Sequence, residues 1–224
     1  YGVRKYGAHG TSHKYIANRI SEIMKRDDLK IINCHIGNGG SISAIDGLKC
    51  IDTSMGFTPN AGIMMGSRSG DIDATLIPYV MKNTNMSIDE VETALNKKSG
   101  LLGISMISSD FRDIIKAISE GDSQALLARN MYVDRIVDYI ARYYVELSGC
   151  DVIVFTAGVG EKSPYSRNEI CKYLGVLGVE ISGKANIVKG EEAEISSATS
   201  KVKVFIIPTN EELMIAKETE KVIN

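Results

Sequence analysis

The sequence lacks a strong excess of charge, a long apolar stretch and any closely paired cysteines. Its 26 basic and 28 acidic residues leave a formal net charge of -2, which gives no electrostatic reason to expect binding to nucleic acid or to an anionic membrane. The longest apolar runs have the length of strands, far below the roughly 20 residues that a membrane-spanning helix needs. The cysteines, Cys34, Cys50, Cys150 and Cys171, form no CxxC pair, which favours reduced thiols in a cytoplasmic protein over disulfides or a zinc site.

The ends and the organisation of the chain are also informative. The 224 residues contain no linker, repeat or low-complexity tract, which suits one large domain or slightly more. No secretory signal is visible, and the sequence begins with Tyr1 rather than Met and enters a dense motif at once. We therefore expect that an upstream portion precedes Tyr1.

Hydrophobic periodicity predicts an α/β fold. Three short strands come first, joined by a glycine-rich turn and by the hairpin signal Asp46-Gly47, and they are expected to form an antiparallel meander. Later strands alternate with helices, which predicts a partly parallel sheet with covered faces. A capping box is expected at Ser87, and residues 189–200 are expected to form a surface loop. The predicted strands are 29–35, 41–45, 48–53, 151–156 and 202–207, and the predicted helices begin near residues 13, 74, 87, 110, 123, 166 and 210.

Two glycine-rich segments follow predicted strands. The first is HIGNGGS at 35–41 and the second is AGVGE at 157–161. Glycines permit positive φ and close approach of a ligand, and free amides at strand ends and helix starts bind phosphate. Each segment could equally be a tight turn without a ligand. The sequence has neither a P-loop nor a full GxGxxG fingerprint, so neither of those nucleotide folds is supported.

Further polar residues could complete a phosphate site. Arg68 lies between glycines and hydroxyls in GSRSGD, and His9 and His13 lie in YGAHGTSH. Glu211 follows a predicted strand and could hold Mg²⁺, although the helix dipole also explains an acidic residue there. A solvated arginine and hydrogen-bonded histidines are the simpler alternatives. Taken together, phosphate-cradling backbone, cations and a carboxylate near a metal are the parts that phosphoryl transfer requires.

Five segments resemble the acetate kinase family. They are YGAHGTSH at 6–13, DTSMGFTP at 52–59, MMGSRSGDID at 64–73, FTAGVGE at 155–161 and PTNEELMIA at 208–216, and they span the chain in the family's order. The resemblance implies an actin-like ATPase domain of the ribonuclease H-like type, with a mixed sheet and helices on both faces. Residues 1–224 would then be the carboxy-terminal nucleotide-binding domain of a cytoplasmic enzyme that moves a phosphoryl group reversibly between ATP and acetate.

The resemblance also implies the role of each site residue. His9 and Arg68 would stabilise the phosphoryl group during transfer, and Glu211 would help to hold Mg²⁺ or Mn²⁺. ATP or ADP would contact a longer set of residues: His35, Ile36, Gly37, Asn38, Gly39, Asp110, Phe111, Arg112, Gly158, Val159, Gly160, Glu161 and Lys162. The products would be acetyl phosphate and ADP, and the domain would form a homodimer.

Some expectations stay open at this level. Ala8 replaces the aromatic residue that the family usually has before His9, and Lys162 stands where the family commonly has Asn or a small residue. The family's amino-terminal half, with a catalytic aspartate, a metal-ligating asparagine and much of the acyl pocket, is absent, so we expect little activity from this chain alone. The final helix, about 212–224, would normally pack on that half. Propionate or another short acid as substrate, a pyrophosphate-using relative, and a non-catalytic nucleotide-binding or dimerisation module are the alternatives.

Overall fold

A mixed six-stranded sheet organises the computed structural model, which describes residues 1–223. Its strands lie in the order β3-β2-β1-β4-β6-β5. They are β1 (Lys30–Ile36), β2 (Gly40–Asp46), β3 (Lys49–Thr53), β4 (Val152–Thr156), β5 (Ala193–Glu194) and β6 (Lys203–Ile206). The first three form the predicted antiparallel meander, and β1, β4 and β6 are parallel to one another. The carboxyl ends of β1, β4 and β6 therefore meet at one edge, where ligands of open α/β sheets bind.

The helices cover both faces of the sheet. They are α1 (Gly10–Met24), α2 (Leu76–Thr84), α3 (Ile88–Lys97), α4 (Gly100–Ser105), α5 (Phe111–Ser119), α6 (Ser123–Glu146), α7 (Ala157–Lys162), α8 (Pro164–Cys171) and α9 (Glu211–Ile223). Alternation along β1 separates two cores: Ile32 and Ile36 pack in the larger one, which includes α6, while Ile31 packs with α1. The predicted α/β fold with helices on both faces is confirmed.

Local sequence signals determine several helix boundaries. Ser87 accepts a hydrogen bond from the Glu90 amide while the Glu90 carboxylate accepts one from Ser87, so the predicted capping box is present. At the start of α6 the Asp122 side chain accepts from the Ala125 amide at 2.8 Å. The helix ends just before Ser148, which has φ +55° and donates to the Val145 carbonyl at 2.9 Å, and the following Gly149 donates to the Tyr144 carbonyl at 2.8 Å.

One helix was missed, and one prediction about the elements was wrong. No element was predicted at the short helix α4, because SGLLGIS has two glycines and no 3.6-residue apolar period. Residues 189–200 are not merely a surface loop, since they contain β5 and the fully buried Ile195. Two short 3₁₀ turns, Gly175–Leu177 and Ala185–Ile187, precede that segment.

The final helix packs within this chain. Helix α9 lies against α1, where Met214 is buried and Lys14 pairs with Glu218 at 2.6 Å. Its expected packing on a further domain stays a prediction, and Asn224 lies outside the described residues. No helix within residues 1–223 is both long and apolar enough to cross a membrane.

Candidate active site

The glycine-rich turn between β1 and β2 lies at the edge of the sheet where the carboxyl ends of the parallel strands meet, and most of its residues have no side chain. Of the two properties that glycine permits, positive φ is not used here: none of Gly37, Gly39 and Gly40 has a positive φ. They are needed for space instead. A β-carbon at Gly40 would lie 2.8 Å from Ile63 Cδ1, and one at Gly37 would lie 3.1 Å from the Gly39 carbonyl oxygen.

The same turn leaves amide groups available. The Gly37 amide donates to the Gly39 carbonyl at 2.9 Å, which closes the turn. The amides of Asn38 and Gly39 have no acceptor among residues 1–223. Asn38 is itself fixed, because its carbonyl accepts from the Gly66 amide at 2.9 Å and its side chain occupies the space that a β-carbon at Gly66 would need. Two free donors on a fixed turn are suited to an anion.

The second glycine segment lies at the end of β4, next to that turn. We predicted a turn before a helix, and residues 157–162 are themselves the short helix α7. Ala157 has φ +65°, an uncommon conformation for a residue with a side chain, and its amide donates to Glu161 Oε1 at 2.7 Å. A β-carbon at Gly158 would meet nothing within 4 Å, so this glycine exposes its backbone to open space.

A cavity of about 780 Å³ joins the two glycine segments. Phe111 and Tyr132 form one of its walls, with ring centroids 5.2 Å apart. The predicted site residues that line it are Gly37, Asn38, Asp110, Phe111, Arg112, Gly158, Val159 and Lys162. Residues that were not predicted also line it, namely Leu101, Ser109, Ile115, Tyr132, Ser163, Pro164, Tyr165 and Lys189. A cavity with apolar walls and a few polar groups is typical of a site for a small molecule.

Five predicted nucleotide contacts lie outside this lining. Ile36 is fully buried in the core, and His35 and Gly39 lie on the far side of the turn, with His35 stacked on His9. The Gly160 carbonyl accepts from Arg167. The buried Glu161 carboxylate accepts from the amides of Ala157 and Thr209, so it connects the ends of β4 and β6. These residues hold the walls in place.

Three histidines form a cluster on the opposite side of the turn. The rings of His9 and His35 are stacked with centroids 3.9 Å apart. Ser41 Oγ contacts both His9 Nδ1 at 2.9 Å and His13 Nε2 at 2.7 Å. His9 itself has φ +61° at the start of α1. The cluster is therefore held by side-chain contacts and by an uncommon backbone conformation, a combination that is concentrated at functional sites.

Burial keeps these histidines neutral. It lowers the pKa of His13 to about 3, with smaller contributions from the neighbouring His35 and His9. Burial also lowers the pKa of His35 to about 3, with a contribution from His9. The pKa of His9 is lowered by burial and then by the positive charge of Arg68. At neutral pH the cluster thus offers uncharged imidazoles, and Arg68 provides the positive charge.

Arg68 lies beside the glycine turn. A β-carbon at Gly39 would be 3.2 Å from Arg68 Nη1, and within residues 1–223 no carboxylate is close enough to form an ion pair with this arginine. Helix α4 holds its loop, since the amides of Leu101 and Leu102 donate to the carbonyls of Met65 and Gly66 at 2.9 Å. A half-buried cation without a counter-ion is suited to an anionic ligand.

Glu211 begins α9 on the side of the histidine cluster. Thr209, two residues earlier, contacts Ser12 at 2.8 Å, and Ser12 contacts His35 Nδ1 at 2.9 Å. The Glu211 side chain is exposed, and no group of three or more metal-ligating side chains occurs within the described part of the chain. A metal held here would depend on one carboxylate, with phosphate oxygens and water as the other ligands.

Sequence reasoning missed the support behind α7. Arg167 is fully buried and donates to five acceptors, three of them the carbonyls of Gly160, Glu161 and Val188 and two on Asn186, at 2.7–3.0 Å. Burial lowers its pKa to about 10. Arg167 could not be recognised from the sequence, because four of its five acceptors are backbone carbonyl oxygens, which no residue pattern marks.

The comparisons with known proteins agree with this geometry. The model of the Acetokinase family matches residues 1–217. Among curated relatives, the acetate kinase of Clostridium novyi (strain NT) is 51% identical over 225 residues, covering 100% of this chain and 56% of the relative. The acetate kinase of Bacillus velezensis is 54% identical over 220 residues, covering 97% and 56%. The chain therefore spans about half the length of the curated relatives it matches.

Solved structures show the same similarity. The acetate kinase of Porphyromonas gingivalis superimposes with a TM-score of 0.96 at 43% identity, covering 100% of this chain and 57% of that one. A propionate kinase from Francisella tularensis superimposes with a TM-score of 0.91 at 42% identity, covering 96% and 55%.

Proposed function

Because the chain belongs to the acetokinase family, we propose that it forms the nucleotide-binding half of an acetate kinase. The whole enzyme would transfer the γ-phosphoryl group of ATP directly to acetate, giving acetyl phosphate and ADP, and would also run in reverse. The observation that carries the proposal is the convergence of Gly37–Asn38 and Gly158–Val159 on one cavity. Two glycine segments that are far apart in sequence meet there, as the binding of one polyphosphate requires.

The cavity supports an orientation for the nucleotide. Phe111, Ile115 and Tyr165 provide apolar surface for the base, while Asp110 and Arg112 provide polar groups for the ribose end. The phosphates would extend to the Gly37–Gly39 turn, where the amides of Asn38 and Gly39 have no acceptor within residues 1–223 and are available to phosphate oxygens. This orientation directs the terminal phosphate toward the side of the turn where Arg68 and His9 lie.

Catalysis would then depend on positioning and electrostatics. Arg68 lacks a protein counter-ion, so its charge is available to the phosphoryl oxygens, and His9 would add a hydrogen bond. Glu211 fits a magnesium or manganese ion that is held mainly by phosphate oxygens and water, since Mg²⁺ commonly binds proteins through one or two carboxylates. The metal would neutralise phosphate charge when bound.

Calorimetric titration of the 224-residue chain with ATP–Mg²⁺ tests the nucleotide site. We expect saturable binding, and we expect Gly158→Leu to abolish it by filling the cavity. Gly175→Leu is the matched control, because a β-carbon at Gly175 also meets nothing within 4 Å and this residue does not line the cavity. Absence of binding by the folded chain, or equal loss in both variants, would contradict the proposal.

The activity of the chain alone is a separate question. The family resemblance assigns the acyl pocket and a catalytic aspartate to residues that this chain does not contain. We therefore expect no acetyl phosphate formation at enzyme-like rates in a hydroxamate assay. Rates comparable with those of an intact acetate kinase would show that residues 1–224 suffice, and would refute this division of roles.

Substrate, assembly and location belong to the same proposal. A propionate kinase superimposes almost as well as the acetate kinases, so propionate is the second candidate, and relative rates of the whole enzyme on acetate and propionate decide between them. We propose a homodimer formed through this domain, which light scattering tests. We also propose a cytoplasmic location, where ATP and ADP are available, and fractionation of cells that express the whole enzyme tests it.

A further inference from the structure

One hydroxyl bridges two of the three histidines. Ser41 Oγ is 2.9 Å from His9 Nδ1 and 2.7 Å from His13 Nε2, and no other side chain within residues 1–223 hydrogen-bonds to it. A serine hydroxyl has one hydrogen. Between two neutral imidazoles it therefore donates to one ring and accepts from the other, so the proton positions on His9 and His13 are linked.

The far side of His13 sets the direction of this chain of hydrogen bonds. In the orientation that the structure gives the Asn33 amide, its Nδ2 lies 2.8 Å from His13 Nδ1, and an amide nitrogen only donates. Ser43 Oγ lies 2.8 Å from the same ring nitrogen and, as a hydroxyl, can donate to it as well. His13 Nδ1 is therefore the acceptor, and the proton of the neutral ring is on Nε2. That N–H donates to Ser41, whose own hydrogen is then directed at His9 Nδ1. His9 must carry its proton on Nε2.

The remaining contacts keep His9 in place without using its Nε2. The His35 ring lies parallel to it, with an interplanar angle of 12°, and restricts its rotation. No protein group within the described residues contacts His9 Nε2. The free N–H of this ring is thus available to a ligand, on the side of the turn where Arg68 supplies charge.

We propose that His13 and Ser41 are positioning residues that hold His9 as the Nε2–H tautomer, so that it offers a hydrogen-bond donor rather than a lone pair to its ligand. The identity of that ligand as a phosphoryl group rests on the proposed function, but the tautomer does not. A donor aimed at developing negative charge accelerates group transfer by about 10²–10³-fold in known enzymes. A lone pair in the same place would repel the phosphoryl oxygens.

Long-range ¹H–¹⁵N correlation spectra of the nucleotide-free chain at neutral pH test the proposal directly. We expect His9 to show one fixed tautomer with its proton on Nε2, and His13 likewise. In Ser41→Ala the bridge is lost, and the His9 nitrogen shifts should move to the averaged values of an exchanging ring. Ser43→Ala is the matched control: it removes a hydroxyl 2.8 Å from His13 Nδ1 but leaves the Asn33 donor and the Ser41 bridge in place, so the His9 tautomer should not change.

His13→Gln provides a second variant that keeps an amide donor near Ser41. It should preserve the His9 tautomer, whereas His13→Leu should not. A wild-type His9 protonated on Nδ1, or a folded Ser41→Ala with an unchanged His9 spectrum, would overturn the proposal. If Ser41→Ala does not fold, the wild-type tautomer decides. Failure of the chain to bind ATP–Mg²⁺ would refute the proposed function and leave this result unaffected.

Discussion

The two sides of the Gly37–Gly40 turn differ in how they are built. On one side, His13 and His35 are buried and His9 is half-buried, and all three are fixed by hydrogen bonds to serine hydroxyls. On the other side the cavity is lined by the exposed residues Asn38 and Gly158, by the aromatic wall described above, and by exposed charged side chains such as Arg112. The first arrangement fixes the positions of donors, and the second leaves space and free amides.

This difference indicates a division of work within one site. Catalysis requires that the reacting and donor groups be positioned to within a fraction of an ångström. Buried hydrogen-bond networks provide that rigidity. Binding of a large ligand requires volume and unpaired donors, which a packed network cannot offer. Each side should therefore respond differently to substitution: the cluster through stability and protonation, the cavity lining through affinity.

The largest loss of stability is expected when Arg167, the buried side chain behind α7, is replaced. In Arg167→Met, buried carbonyls of Gly160 and Val188 lose their donor, and the free energy of unfolding should fall by about 4 kcal/mol. Urea denaturation measures it. Arg112→Met removes an exposed cation instead and should change stability by no more than about 0.5 kcal/mol. Similar losses of stability in the two variants would show that Arg167 supports the cavity wall no more than the exposed Arg112 does.

Low pH should lower the free energy of unfolding, because two histidines of the cluster are buried in the neutral form. Burial lowers the pKa of His13 and His35 to about 3, so the unfolded chain takes up protons near pH 6.5 while the folded chain does not. Lowering the pH from 7.5 to 5.5 should therefore cost about 3 kcal/mol of unfolding free energy, and stability returns as pH rises. Urea midpoints at the two pH values measure it. The double variant His13→Gln/His35→Gln should lose most of this dependence, and a flat wild-type profile would contradict it.

A comparison of two glycines should give an intermediate effect. Gly40→Ala places a methyl group 2.8 Å from Ile63 Cδ1 and should cost about 2 kcal/mol, with partial recovery in Gly40→Ala/Ile63→Val. Gly158→Ala faces open space and should leave stability almost unchanged. Thermal and urea unfolding of the variants check this order. Equal costs would mean that the turn at Gly40 and the helix start at Gly158 do not differ in the space around their glycines.

The smallest stability effect is expected in the cavity lining itself. Arg112→Gln should change unfolding free energy by less than about 0.5 kcal/mol, because the Arg112 side chain is largely exposed, but it should weaken ATP–Mg²⁺ binding several-fold. Arg135→Gln on α6 removes a similarly exposed ion pair away from the cavity. An equal change in affinity for both variants would show that Arg112 has no specific role.

The fold could be predicted well from the sequence, because strand alternation, the Asp46-Gly47 turn and the capping box at Ser87 are local signals. The sequence does not reveal why glycines are needed at Gly37 and Gly40, since the requirement comes from the close approach of Ile63 and of the Gly39 carbonyl oxygen rather than from φ. Such close approaches are tertiary, and no local pattern encodes them.

Only part of the site could be predicted, because some of its residues are brought together by tertiary packing alone. Residues within recognisable motifs, such as Asn38 and Gly158, do line the cavity. Tyr132 and Lys189 also line it but come from a long helix and from a segment expected to be a surface loop. Their positions are set by how α6 and the region before β5 pack, which the sequence around each residue does not reveal.

The central claim is that the two glycine segments bind one polyphosphate together. Backbone ¹H–¹⁵N spectra recorded during titration with ATP–Mg²⁺ test it most directly. We expect the amides of Asn38, Gly39, Gly158 and Val159 to shift along one common saturation curve while the amide of Gly175 stays unchanged. Shifts in only one segment, or two curves with different midpoints, would contradict it.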